Sequence, residues 1–199
     1  MDANFLLSTA GVCAEFLSGR LGGDWNAKVP GQERTVAEVV AHISDSLHAY
    51  AFDLAAGPTE LSTWEGDVRP NSARMELVVT LGTTAKLLAA VVAASSPESR
   101  GWHPWGPADP SGFAAMGCDE LLVHTYDAAR GLGAEFTAPP RLAAATVYRL
   151  FPWVPTDTEP WPTLLWANGR APLGDRPRLT KWTWHGAPLT EWDGSAPIG

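Results

Sequence analysis

The sequence predicts an all-α protein: an antiparallel four-helix bundle with an extra helix and a small C-terminal β element. Three observations predict it. Apolar residues recur at helical spacing through five stretches before Pro152. Short connections punctuated by Gly and Pro separate those stretches. Beyond Pro152 the texture turns Pro-rich and then alternating, with tryptophans on one face. The expected organisation is a helical bundle over 1–152. A linker and a short Trp-rich β-hairpin over 153–199 should pack on it.

Phe5, Leu6, Val12, Cys13, Phe16, Leu17 and Leu21 form the apolar face of a first helix over 3–21, ended by Gly22-Gly23. The connector from Asp24 to Gln32 holds the turn pair Pro30-Gly31, and its Trp25 is expected to pack over a bundle end. Thr35 and Glu38 form a capping box, each side chain satisfying the other's backbone N–H, so a second helix starts there. Its stripe runs through Val36, Val39, Val40, Ile43, Leu47 and Leu54 to about Ala56. A polar loop, 57–70, leads to a third helix. That helix passes Met75, Val78, Leu81 and Leu88 and stops at Ser95-Ser96-Pro97. The next loop carries Trp102, His103 and Trp105, residues suited to covering a cavity or shielding the end of a bundle.

Asp109 as N-cap and Pro110 at the first helical position open the fourth helix, and Gly131 and Gly133 close it. It is apolar almost all round, which predicts burial. Yet Glu120, His124 and Asp127 stand at i, i+4 and i+7, on one face. Buried ionisable groups are costly unless paired or metal-bound. A divalent metal explains this line of acid, imidazole and acid; so does a simple Glu–His hydrogen bond. His42 flanks the stripe of the second helix, and on pattern alone it is a half-exposed surface histidine. His103 is either an extra ligand or, as is usual for a loop histidine, solvated.

A fifth helix follows Pro139-Pro140 and ends at Pro152. Residues 154–162, with three prolines, are expected to be a linker. Thr163 to Trp166 and Leu179 to His185 are expected to be strands, with turns at Asn168-Gly169 and Gly174-Asp175.

A net charge of −8 and a pI near 5.0 argue against nucleic acid or an anionic membrane as partner. No run of 18 apolar residues predicts a membrane span, and Asp2 stands where a signal peptide would carry a cation. Cys13 and Cys118, on separate helices, suit a reduced cytoplasm and core packing. A zincin His-Glu-x-x-His, a phosphate-cradling Gly-rich loop and a serine-hydrolase elbow are all absent.

Two motifs in order carry a resemblance. Trp25 and the run Val29-Pro30-Gly31 to Thr35–His42 come first; Glu120-Leu121-Leu122-Val123-His124 continuing to Gly133 comes second. Over about residues 3–152 the chain resembles the DinB-like superfamily, in particular the mycothiol-dependent maleylpyruvate isomerase group. The resemblance implies a bundle holding a divalent metal, zinc first and nickel or iron next, through His42, Glu120 and His124. It makes Asp127 a residue that orients His124 or lines a thiol or substrate pocket. It also implies mycothiol or a similar thiol as co-substrate. The thiolate adds to a cis double bond, rotation follows, and elimination gives the trans isomer; related bundles pass the thiol to other electrophiles. One departure is plain: only about 45 residues follow the linker, where the isomerase has a larger domain. Arg170, Arg176, Arg178 and Lys181 are the cations there, none alignable with a family arginine. Two further readings stay open: a non-catalytic metal- or ligand-binding bundle, and a hydrolase using bound water with Asp127 as base. The expected partners are a small thiol and an electrophile, with a homodimer possible for such bundles.

Overall fold

The first, second and fourth helices begin where a side chain accepts from their unpaired N–H groups. In the computed structural model, which describes residues 1–61, 63 and 66–196, α1 spans Ala3–Ser18 and α2 Val36–Ala56. Helix α3 spans Arg74–Ala94, α4 Pro110–Gly131, α5 Pro140–Leu150 and α6 Pro160–Ala167. Residues 62, 64 and 65 of the expected polar loop and 197–199 of the expected extension lie outside the described residues. Asp2 Oδ1 accepts from the N–H groups of Asn4 and Phe5 to cap α1. The capping box of α2 forms as expected: Thr35 N–H donates to Glu38 and Glu38 N–H to Thr35 Oγ1. Asp109 Oδ1 accepts from Gly112 N–H at 2.8 Å to start α4. Proline supplies the first residue of α4, α5 and α6, where its missing N–H costs nothing.

Helices α1 and α2 each pack against both α3 and α4, which places α4 inside the bundle. Gly117 marks where they meet. A Cβ there would stand 2.9–3.0 Å from Leu6, Leu88 and Leu47, one leucine from each of the other three helices. By length and mean hydropathy α3 could cross a membrane; 44% of its most apolar window is buried against the rest of the chain. Trp25 is buried, with its indole N–H donating to the Arg20 carbonyl, so it packs as expected.

The C-terminal β element does not form: the described residues contain no strand. Thr163 to Trp166 lies inside α6, and the expected linker contains its start. A short apolar run is compatible with strand or helix. Pro160 and the Thr163 hydroxyl, which donates to the Glu159 carbonyl, settle it as helix. Leu179 to His185 is then left without a strand to pair with. It runs as irregular chain across the helices, with Trp184 buried and packed against Trp105 and Tyr50. The turn at Gly174-Asp175 does form, closed by the Leu173–Arg176 bridge.

Buried Arg149 of α5 secures this segment. It pairs with Asp109 and donates to the carbonyls of His185 and Gly186. Gly112, in the first turn of α4, leaves room for the Gly186 carbonyl, which a Cβ would strike.

Candidate metal centre

The register of α2 and α4 decides which side chains meet. With Thr35 as N-cap, His42 falls two turns into α2 and faces α4. One turn of α4 separates Glu120 from His124, and Asp127 lies three residues on. His124 Nε2 is 3.1 Å and His42 Nε2 3.8 Å from Glu120 Oε2. The two imidazole rings stand edge to face with centroids 5.0 Å apart. One donor atom from each of the three lies within 4.8 Å of the others. Ligands at ~2.0–2.1 Å around a tetrahedral ion sit about 3.3 Å apart, a value these separations bracket.

Protonated at Nε2, His124 forms an ion pair with Glu120, so a Glu–His pair and a metal ion compete for the same oxygen. Glu120 Oε2 is buried and has no hydrogen-bond partner among the described residues, although His124 Nε2 is close. Its other oxygen is satisfied: Oε1 accepts from the Tyr50 hydroxyl at 2.9 Å. A buried carboxylate oxygen without a well-formed hydrogen bond is expensive, and a cation at the focus of three donors removes that cost. The donor set fits a borderline divalent ion.

Asp127 completes the geometry. It is fully buried, and its Oδ2 lies 3.1 Å from His124 Nδ1. With Nδ1–H donated to Asp127, the Nε2 lone pair is free to face the focus. The Arg170 guanidinium grips the same carboxylate, Nη2 donating to Oδ2 at 2.8 Å and Nε approaching both oxygens. Burial alone would raise the Asp127 pKa, but His124 and Arg170 outweigh it and hold the carboxyl well below the usual range. Burial pushes His42 down to about 4, against the pull of Glu120. Burial also acts to lower His124, yet Asp127 and Glu120 prevail and raise it to about 9. A neutral His42 is ready to bind a cation; His124 must first give up its Nε2 proton.

The helix face read from the sequence thus exists, and His42 joins it. His103 does not: its Nδ1 accepts from the Trp105 N–H, and its ring packs on Trp184 and Trp105. Three participants escaped the sequence reading. Tyr50 lies in the apolar stripe of α2, three residues past Leu47, and nothing local marks its hydroxyl as a partner of Glu120. Arg170 was visible only as one of several C-terminal cations. Asp119 is buried with its carboxylate accepting from the Asn168 amide at 2.8 Å. Burial raises its pKa to about 7 against that amide.

Fold and site together define a class: a helical bundle presenting two histidines and a glutamate, from two neighbouring helices, to a common point. Residues 12–129 match the family described as mycothiol maleylpyruvate isomerase N-terminal domain. The match spans more than half of the chain, and the chain belongs to this family. It contains His42, Glu120, His124 and Asp127 and ends within the last turn of α4, before Arg149 and Arg170. No curated protein and no solved structure matches.

Proposed function

We propose that this chain is a divalent-metal-dependent enzyme that activates a low-molecular-weight thiol of the mycothiol type. The thiol is transferred to a small electrophile or serves its cis–trans isomerisation. The observation that carries this reading is the focus of His42, Glu120 and His124 around the buried Glu120 Oε2, in a member of this family. Zinc suits the donor set best, with nickel or iron as alternatives. When bound there, such an ion supplies the Lewis acidity that draws the proton from a thiol at neutral pH.

The chain's own residues do the rest. His42, Glu120 and His124 hold the ion and leave a coordination position for the incoming sulfur. Tyr50 holds Glu120 by its far oxygen, and Asp127 fixes the proton of His124 on Nδ1. About a third of the His42 side chain is exposed, so a small molecule approaches from that side. Cys13 and Cys118 are fully buried and free, which supports a thiol drawn from solution and a reducing, cytoplasmic setting. The hydrolase alternative needs Asp127 as base, but His124 and Arg170 occupy its carboxylate and hold its pKa down.

The test is elemental analysis of untagged protein beside His42→Ala and Glu120→Ala. It is followed by thiol-consumption assays with a panel of electrophiles. Near-stoichiometric metal, lost in both variants, is expected. No metal in the wild type after zinc is added back would sink the proposal.

A further inference from the structure

A cleft of about 320 Å³ opens between the turn at Pro30–Gln32, the last turn of α4 and the chain following α6. Arg130, Arg170 and Arg178 line it, and no acidic residue does. The chain carries 22 acidic residues against 14 Lys and Arg, so its average surface would put carboxylates among such cations. Among the described residues, neither Arg130 nor Arg178 forms an ion pair. Both are exposed. Arg170 shares its charge with Asp127. Three like charges around one concavity repel one another unless something neutralises them.

Shape and position point the same way. The volume falls within the range of small-molecule sites. A guanidinium presents a planar fork of donors that matches a carboxylate or phosphate group. Arg170 lies between the cleft and the metal centre: one side of its guanidinium holds Asp127, which holds His124. Its charge is felt at His42 as well.

We infer that this cleft binds the carboxylate or phosphate group of a small anionic ligand, with Arg130 and Arg178 taking the oxyanion. Arg170 joins that subsite to the metal centre. The inference rests on the reading of that centre as a small-molecule site, and it assigns an anionic substrate class to it.

The test is calorimetric titration of succinate and of inorganic phosphate at low ionic strength. The proteins are wild type, Arg178→Ala and the double variant Arg130→Ala/Arg178→Ala, each zinc-loaded and chelator-treated. Both positions are exposed, and circular dichroism with zinc content checks that the variants keep fold and metal. Saturable binding of at least one probe to wild type is expected, at least about tenfold weaker in Arg178→Ala. The double variant should bind neither. Binding of succinate alone identifies a carboxylate subsite, phosphate alone a phosphate subsite, and both a general oxyanion subsite. The inference is overturned if neither probe binds wild type, or if the double variant binds as tightly as wild type. Succinate bound without any zinc uptake would refute the metal reading and leave the cleft standing. Zinc bound with no probe would do the reverse.

Discussion

Asp127→Asn keeps the size and shape of a fully buried side chain and removes its charge. Two contacts change. The His124 Nδ1–H, now 3.1 Å from a carboxylate oxygen, loses its anionic acceptor, and the imidazole is free to change tautomer or tilt. Carboxylates placed behind a ligating histidine are worth about 10–100-fold in metal affinity. Arg170 loses its counterion as well. Breaking a fully buried pair costs ~3–5 kcal/mol. The Arg170 side chain keeps 22% exposure, and solvent reduces the cost to ~2–3 kcal/mol. For a chain of this size that lowers the Tm by roughly 5–10 °C. Zinc competition against a chromophoric chelator reads the first effect, and thermal unfolding of zinc-free protein reads the second. Arg170→Gln separates them. It should lose stability but bind zinc more tightly than Asp127→Asn, because Asp127 still faces His124. Wild-type zinc affinity in Asp127→Asn would refute the orienting role, and an unchanged Tm would refute the buried pair.

Zinc affinity should depend on pH with a sign set by His124, whose pKa is raised to about 9. Below that value the ion displaces a proton, so apparent affinity should climb about tenfold per pH unit from pH 6 and flatten near 9. His42, lowered to about 4, adds no slope in that range; a flat profile between pH 6 and 8 would refute the assignment. Burial pushes both cysteine thiols up to about 12. Native protein should therefore resist a thiol-labelling disulfide reagent while urea-unfolded protein reacts at both positions, and rapid native labelling would contradict the burial. Arg149→Met should cost ~3–5 kcal/mol in urea unfolding, since it strands Asp109 and two carbonyls. It should also expose the chain around His185 to protease; a loss below ~1 kcal/mol would mean the clasp is not a structural element.

What was legible in the sequence was what local chemistry decides. A capping box, an Asp-Pro helix start and an i, i+4, i+7 line of ionisable groups each depend on residues within two turns of one another. They located α2, α4 and most of the candidate site. One failure was local, and the others involve partners far apart in sequence. Pro160 and Pro162 marked a linker by composition, whereas Pro160 starts a helix. The alternation of Trp182 and Trp184 is genuine, but its cause is a ring cluster with Trp105, Tyr50 and Phe151 rather than a sheet. Arg170 stands 43 residues from the carboxylate it holds, and no periodicity could report that.

Those distant partners bear on how the centre is held. Helix α4 carries two of the three donors, and three buried contacts from beyond it pin it along its length. Arg149 grips Asp109 ahead of its first turn, Asn168 grips Asp119 at its middle, and Arg170 grips Asp127 near its end. All three come from chain outside the region that matches the family. The matched region supplies the donor atoms. The chain beyond it, α5 included, holds α4 in position and, through Asp127, orients His124. A segment of this size acts less as an added domain than as a brace on the helix where the ion would sit. Its Arg170 also borders the cationic cleft, so an anion taken up there would act directly on the group that holds Asp127 in place.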